Sequence, residues 1–159
     1  MTHPPPMRSL LDANGHARLG VFETTPEQVS WRRADFRSPL GRRHGPLRRR
    51  LAYKQFEYFG IVAPDLFAGC ALANIGWVGA AFMYVFVPST GKMDAISVRR
   101  PFGMGLTLTD RPVDGHSHLA TRPARVHLRY SRAGRSLQVE TRSGIDIDAT
   151  FSEGPEHCQ

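Results

Sequence analysis

Two carboxylic acids lie in aromatic and apolar sequence, where a protein can most readily tune an acid for catalysis. Glu57 sits within residues 53–63, and Asp65 directly follows Pro64. A carboxyl group in such surroundings has a raised pKa and can protonate an alkene or activate water. The commoner arrangement, which we favour for both, is that Glu57 faces solvent from a strand and Asp65 forms an Asx turn. Glu57 is the better candidate for a general acid.

A second group of candidates lies in the uncharged stretch 66–87. Asn74 is its polar member, and the aromatic side chains of Trp77, Phe82 and Tyr84 follow. Ligand sites commonly combine an apolar lining with a few polar groups. These aromatic residues are therefore candidate ligand-binding residues, and Asn74 joins Glu57 as a candidate for catalysis. The commoner arrangement, which we favour, is that Asn74 satisfies a turn backbone and that the aromatic residues are core.

The other reactive side chains do not form a recognisable site in the sequence. Asp146 and Asp148 share one face of a predicted strand, which is best explained as solvated. His116 and His118 are expected in a loop, with no further ligands at a zinc spacing. Cys70 lies in apolar sequence, where a thiolate is costly. The sequence therefore predicts no metal site and no cofactor.

The positive charge of the chain is concentrated in one segment. The 159-residue chain has a net charge of +7, and residues 32–54 hold nine of its 21 basic residues with one acid. Proline and glycine interrupt this segment, which argues against a long helix with an arginine stripe. We expect a solvated connector, and the alternative is an anion-binding surface. The residues of that surface would be Arg42, Arg43, Arg48, Arg49 and Arg50. Without an aromatic–basic repeat, nucleic acid is a disfavoured partner.

The stretch 66–87 also raises the question of a membrane span, because 22 uncharged residues are long enough for one. Asn74 and Gly76 mark a turn within it, and its second half is rich in aromatic and β-branched residues, as strands are. Two buried strands are therefore favoured over a transmembrane helix. The N terminus lacks the charged-then-apolar order of a signal peptide, so a cytoplasmic location is expected.

Alternation of polar and apolar residues predicts an antiparallel sheet in the second half of the chain. Residues 125–132, 136–141 and 145–151 each alternate, and short glycine-containing turns join them. Such strands form a β-meander with one solvated face. With four strand-like stretches between residues 53 and 100, the prediction is an all-β barrel or sandwich of about seven strands. We divide the chain into an N-terminal arm, 1–52, and a β-domain, 53–159.

Residues 53–91 resemble the family of the domain of unknown function number 2804. In that family an aromatic strand leads into a Pro-Asp-Leu-Phe turn, a strand of small residues, a turn with glycine and an aromatic residue, and a further apolar strand. The matching positions are Lys54, Phe56, Glu57, Tyr58, Pro64, Asp65, Leu66, Phe67, Asn74, Gly76, Trp77, Thr90 and Gly91. Phe56 and Phe59 replace the usual tryptophans. Asn74 replaces an expected aspartate, which weakens a catalytic role for this position.

The resemblance implies a lipocalin-like β-domain that corresponds to the N-terminal half of longer, two-domain family members. The chain ends in a strand followed by a turn, which suggests truncation, and exposed strand edges are expected to cause self-association. The first function we predict is binding of an apolar small molecule, a lipid or isoprenoid, in the barrel interior. The alternatives are an enzyme that acts on such a ligand by hydratase- or cyclase-like acid–base chemistry and an anionic-surface binder. The sequence does not decide whether the chain is an enzyme.

Overall fold

The computed structural model of the chain describes residues 7–152, which contain nine β-strands. The strands are β1 (Gln55–Ala63), β2 (Leu66–Asn74), β3 (Val78–Val87), β4 (Lys92–Pro101), β5 (Leu106–Thr107), β6 (Gly115–Ala120), β7 (Ala124–Ser131), β8 (Gly134–Thr141) and β9 (Asp146–Phe151). β1 to β4 form one antiparallel sheet and β5 to β9 a second, each in chain order. The predicted all-β fold is confirmed, and the two open sheets make it a sandwich rather than a closed barrel.

The strands of the first sheet are joined by the turns that the sequence predicted. In the β2–β3 turn, the Asn74 side-chain oxygen accepts a hydrogen bond of 3.0 Å from the Gly76 N–H. Gly76 has a φ of 90°, a conformation that glycine adopts without steric cost. A turn ending at Gly91 joins β3 to β4. The uncharged stretch 66–87 is therefore two strands. No helix between residues 7 and 152 has the length and apolar composition needed to cross a membrane.

The second sheet contains two strands that the sequence did not predict. β5 and β6 precede the expected meander of β7, β8 and β9. His116 and His118 lie on β6, so the expectation of loop histidines is wrong. Ser117, which lies between these histidines in the chain, is fully buried. Because this inward-facing residue is polar, the segment lacks the alternation of apolar and polar residues that would have predicted a strand.

The space between the sheets is filled by side chains. Leu72 and Met83 from the first sheet and Val126 and Leu137 from the second are each 0% exposed, and all belong to one apolar cluster. Burying each such side chain contributes about 1.5–3 kcal/mol. The interior in which the sequence predicted a ligand is thus occupied by this core.

β1 crosses the second sheet rather than running along it. Its inward residues are Gln55, Glu57 and Phe59. The Gln55 side chain donates to the backbone oxygen of Thr109, just after β5. Glu57 contacts β6 and β7, and the Phe59 ring lies 4.8 Å from the Phe151 ring on β9. One strand of the first sheet therefore spans the full width of the second.

Residues 7–52 lead up to β1 and pack against one end of the sandwich. The Val29 N–H donates to the Asp110 backbone oxygen at 2.8 Å, and the Ser30 hydroxyl donates to the Asp110 carboxylate at 2.7 Å. A 3₁₀ turn covers Trp31–Arg33, and a single short helix, α1, covers Pro46–Ala52. Pro46 stands at the first helical position, where its missing N–H costs nothing. The division at residue 52 stays a prediction.

Candidate functional site

Glu57 points inward from β1 and holds the two sheets together through hydrogen bonds. One of its carboxylate oxygens accepts from the Ser117 hydroxyl at 2.9 Å, and the other accepts from the Tyr130 hydroxyl at 3.2 Å. Both partners belong to the second sheet, on β6 and β7. The favoured expectation that Glu57 faces solvent is therefore wrong, because the half-buried side chain lies between the sheets.

Ser117 is held so that its proton points at Glu57. The side chain is fully buried, and its oxygen accepts a hydrogen bond of 2.8 Å from the Thr109 N–H. Since that contact uses the oxygen as an acceptor, the hydroxyl proton is free to donate to the carboxylate. The two hydroxyl groups of the second sheet thus each donate to a different oxygen of Glu57.

Burial shifts the proton equilibrium of this cluster. Loss of solvation raises the pKa of Glu57 above its usual range, and the hydrogen bonds from Ser117 and Tyr130 oppose that rise. Burial also raises the pKa of Tyr130, and the nearby Glu57 carboxylate adds to the increase. Tyr130 therefore keeps its proton at neutral pH and remains a donor to Glu57.

Glu57 forms part of the wall of an open cleft of about 350 Å³, which we call the Glu57 cleft. Much of the remaining lining is aromatic or polar. It consists of Val29, Trp31, Tyr53, Lys54, Gln55, Phe56, Thr109, Asp110, Pro112 and Tyr130. The arm supplies Val29 and Trp31, so this cleft exists only where the arm packs on the sandwich. A carboxyl group of raised pKa in this position can hold or donate a proton toward a bound molecule.

A larger cavity of about 610 Å³, which we call the arginine cavity, lies on the other side of Tyr53. Its basic residues are Arg32, Arg49 and Arg50. Its remaining lining is Phe36, Pro46, Tyr53, Asn74, Gly76, Phe102, Gly103 and Leu106. No aspartate or glutamate between residues 7 and 152 forms an ion pair with any of the three arginines. The cavity thus combines a positive side with an apolar side.

The arm places the arginines through its own backbone. Arg49, on α1, donates from one guanidinium nitrogen to the backbone oxygens of Arg32 and Ala34 at 2.9 and 3.0 Å. These bonds tie α1 to the 3₁₀ turn. The Arg32 guanidinium lies over the Tyr53 ring at 5.4 Å, a cation–π contact that orients it. Arg49 therefore has a structural task, whereas Arg32 and Arg50 make no such backbone contacts.

The structure separates the two predicted catalytic residues. Glu57 lines its own cleft, and Asn74 lines the arginine cavity, with Tyr53 between the two spaces. The Asn74 amide oxygen is used by the turn through the Gly76 N–H. Asn74 thus lies in the turn, as the favoured interpretation expects, and its amide nitrogen faces Gly103 across the cavity wall.

The predicted ligand-binding aromatic residues do not lie in an interior. Trp77 follows the β2–β3 turn and is 58% exposed, with its ring 6.1 Å from Phe102. Phe82 and Tyr84 point outward from β3, with their rings 5.7 Å apart. The structure therefore places these three residues outside both cavities.

The five predicted anion-binding arginines are divided between different environments. Arg49 and Arg50 line the arginine cavity, whereas Arg42 and Arg48 lie exposed outside it. Arg43 pairs with Asp35 at 3.3 Å. Asp35 also pairs with Arg37 at 2.7 Å, and this hydrogen bond is the main cause that lowers the pKa of Asp35. The segment is thus neither a uniform anion surface nor a purely solvated connector.

The remaining candidates stay apart from both cavities. Asp146 and Asp148 are exposed on the outer side of β9. Cys70 is buried, and burial raises the pKa of its thiol to about 12. His116 and His127 hydrogen-bond to each other at 3.1 Å on the outer side of the second sheet. No group of three or more ligating side chains within residues 7–152 has the geometry to hold a metal ion.

Sequence reasoning missed four residues that shape the site: Arg32, Tyr53, Ser117 and Tyr130. Arg32 was counted with the basic segment but was not separated from its neighbours. Tyr130 was correctly placed on an inward-facing position of a predicted strand, which was a usable signal. Ser117 gave no signal because its partner Glu57 is 60 residues away in the chain.

The fold and the site define a β-sandwich protein with a basic, partly apolar cavity where an N-terminal arm meets the first sheet. A cleft with a buried carboxyl group lies beside that cavity. The chain belongs to the family described as Domain of unknown function (DUF2804), whose model matches residues 6–158. The resemblance of residues 53–91 is thereby confirmed. Neither a curated protein nor a solved structure matches the chain.

Proposed function

We propose that the chain binds a small molecule with an apolar body and one anionic group in the arginine cavity. One observation carries the proposal. A single cavity of about 610 Å³ brings Arg32, Arg49 and Arg50 together without a neutralising carboxylate and opposes them with Phe36, Phe102 and Leu106.

The chemistry of this lining matches an amphipathic anion. Guanidinium groups bind carboxylates and phosphates through paired, charge-assisted hydrogen bonds. The apolar wall supplies the area that buries a hydrocarbon body, and the volume lies within the range of small-molecule sites. The proposed ligand is apolar, as the sequence predicted, but it differs in two respects. It binds outside the filled interior, and it carries an anionic group.

Arg32 and Arg50 are the residues we assign to the anion. Arg49 donates hydrogen bonds from one guanidinium nitrogen to the backbone oxygens of Arg32 and Ala34, so its first role is to stabilise the wall of the cavity. Arg32 is oriented by Tyr53, and Arg50 lies one residue after Arg49 on α1. Both side chains line the arginine cavity, one from the 3₁₀ turn and one from α1.

The direct test is calorimetric titration with three probes of equal chain length, each kept below its micellar concentration. Dodecanoate carries the anion, dodecanol is neutral and dodecylammonium is a cation. We expect dodecanoate to bind most tightly and to weaken with added salt, because exposed charges are screened. Equal affinity for dodecanoate and dodecanol would remove the role of the arginines.

Variants locate the binding. Arg50→Gln should weaken dodecanoate binding about tenfold, which corresponds to the loss of one charge-assisted contact. Arg42→Gln removes the same charge from an exposed position outside the cavity and is the matched control. If both variants weaken binding equally, the effect is a general one of net charge and the site assignment fails.

A second candidate function, acid–base catalysis on the bound molecule, is favoured by Glu57. Its carboxyl group accepts hydrogen bonds from two hydroxyl groups, has a raised pKa and borders a cleft that adjoins the arginine cavity at Tyr53. Because Ser117 and Tyr130 donate hydrogen bonds to Glu57, the proton of a protonated Glu57 would be available to a molecule bound in the cleft. Glu57 is then the general acid, and Tyr130 supports its position.

The raised pKa of Glu57, which this second function requires, can be measured without a known substrate. Carbon-13 NMR of glutamate side chains across pH should show one carboxyl group that titrates above the usual range and that disappears in Glu57→Gln. Dodecanoate binding should persist in that variant, because Glu57 lies outside the arginine cavity. A Glu57 pKa at or below the ordinary value would exclude the acid role.

A further inference from the structure

The outer side of the first sheet forms a nearly uncharged surface, which we call the apolar face. Each strand contributes four residues to this face, and the strand register aligns them across the sheet. They are Phe56, Tyr58, Gly60 and Val62 from β1, Phe67, Gly69, Ala71 and Ala73 from β2, Ala80, Phe82, Tyr84 and Phe86 from β3, and Met93, Ala95, Ser97 and Arg99 from β4. Arg99 is the one charged residue among these positions, and it lies on the edge strand β4.

The projecting side chains of this face are exposed to a degree that a covered surface would not show. Val62 is 81% exposed, Phe56 65%, Met93 56% and Tyr58 54%. Four strands about 4.8 Å apart, over about eight residues, give a footprint of roughly 500 Å². This equals the largest apolar patches of ordinary monomers, which commonly mark interaction sites. The apolar face is therefore expected to have an occupant.

The relief of the face is self-complementary. Large side chains on β1 and β3 form two ridges, and the small side chains of Ala71 and Ala73 on β2 form a groove between them. At the next position along β2, the Tyr84 ring covers Gly69, and its hydroxyl hydrogen-bonds to that of Tyr58 at 3.1 Å. A two-fold axis can place a ridge of one copy in the groove of the other and the reverse, as an isologous interface requires.

Charge and area also fit a second copy. The chain carries a net charge of +7, which opposes association of two copies, and this repulsion is smaller where the surfaces that meet hold few charges, as the apolar face does. Face-to-face packing of two sheets, about 10 Å apart, would remove on the order of 1,000 Å² in total. That value is near the lower limit for a specific interface, and neighbouring edge residues add to it.

From these observations we propose that the apolar face is the interface of a symmetric dimer of this chain. The sequence predicted self-association through strand edges, and the structure instead points to the face of the first sheet. Packing through the face leaves the arginine cavity open, because none of its lining residues belongs to the face. The Glu57 cleft shares Phe56 with the face, so only ligand binding in the arginine cavity is expected to be independent of the dimer.

The test is sedimentation velocity of the full chain over a wide concentration range. We expect a species of twice the 17.7 kDa chain mass that dissociates on dilution. Phe82→Lys puts a charge at the centre of the face and should yield monomer at every concentration. Gln138→Lys adds the same charge to the exposed outer side of β8 and should leave the dimer intact.

Folding is checked by far-ultraviolet circular dichroism, and a second variant protects the test. If Phe82→Lys is unfolded, Val62→Lys on the highly exposed end of β1 takes its place with the same expectation. Wild-type monomer throughout, or a dimer unaffected by both lysines, overturns the proposal. So does a wild-type monomer that floats with phosphatidylcholine or phosphatidylglycerol vesicles, since the occupant would then be a lipid surface.

Discussion

The two sheets differ most on the sides that they turn away from each other. Across the second sheet, His127, Gln138 and Asp148 stand side by side on neighbouring strands. At the corresponding place on the first sheet, Tyr58, Ala71 and Phe82 stand in register. The inner sides are alike, because both contribute apolar residues to one core. Only the outer side of the second sheet is built for water.

This difference shows that the two sheets follow different rules. A sheet with one solvated side alternates between apolar and polar residues, whereas a sheet covered on both sides is apolar throughout. β7, β8 and β9 follow the first pattern, and β2 and β3 follow the second. β1 is apolar on its outer side, although Gln55 and Glu57 are polar on its inner side. Within the described residues, only the inner side of the first sheet is covered. The apolar composition of its outer side is what a covered sheet would have, and in the proposed dimer a second copy covers that side.

The largest expected effect compares the two sides of one strand. Met83→Ala, at a residue that is 0% exposed, should lower the free energy of unfolding by about 2–5 kcal/mol at any protein concentration. The neighbouring Phe82→Ala should cost about 1 kcal/mol or less at concentrations where the chain is monomeric, and more as the concentration rises. Urea denaturation at several concentrations measures both. A concentration-independent cost for Phe82→Ala would mean that the apolar face has no partner copy.

The next effect concerns the polar residue inside the core. Ser117→Ala leaves the Thr109 N–H and one Glu57 oxygen without their partner, so it should destabilise the chain by about 1–3 kcal/mol. Ser89→Ala, in the exposed turn between β3 and β4, is the control and should change stability by less than about 0.5 kcal/mol. Thermal unfolding of the two variants gives the comparison. Equal midpoints would show that Ser117 does not hold Glu57.

A smaller effect is the pH dependence that Glu57 contributes. Its folded pKa is raised above the ordinary value of 4.5, so the unfolded chain loses the proton first as the pH rises. Stability due to this group is therefore present at low pH and falls between pH 4.5 and the raised folded pKa. Glu57→Gln should remove that fall. Denaturation at a series of pH values measures it, and identical profiles for both proteins would contradict the raised pKa.

The smallest effect belongs to the solvated outer side of the second sheet. Burial lowers the pKa of His116 below the ordinary 6.5, and Arg129, His118 and His127 add to the shift. The unfolded chain then binds a proton first as the pH falls, so stability decreases below about pH 6.5 until His116 itself titrates. His116→Gln should flatten this decrease. Imidazole NMR titration of His116 measures its pKa directly, and an unchanged slope in the variant would mean that His116 does not cause the decrease.

Much of the fold could be predicted because it depends on local pattern. The alternation of Val126, Leu128 and Tyr130 with polar neighbours indicated β7, and the Asn74–Gly76 turn divided the long uncharged stretch into two strands. β6 was missed for the opposite reason. Its inward residue Ser117 is polar, and only a distant carboxylate makes that position acceptable in a core.

The site was less predictable, because its parts come from distant segments. The aromatic and apolar neighbours of Glu57 in the chain indicated that its carboxyl group could have a raised pKa. That its side chain points inward depends on how β1 crosses the second sheet. The arginine cavity depends on Arg49 binding the backbone oxygens of Arg32 and Ala34, a contact between residues 15 and 17 positions apart. A count of arginines in the segment could not separate the three that line the cavity from those that face solvent.

Residue types and short-range spacing were enough to predict seven of the nine strands, the Asn74–Gly76 turn, the family and the concentration of charge in the arm. These depend on residue type and on spacing within a few residues, which the backbone converts directly into conformation. Three features depend on how the two sheets pack. Side chains fill the interior, Glu57 accepts hydrogen bonds from Ser117 and Tyr130, and Phe82 and Tyr84 face outward. Those outcomes depend on which side of each sheet meets the other, and a strand that is apolar on both sides carries no local signal for that choice.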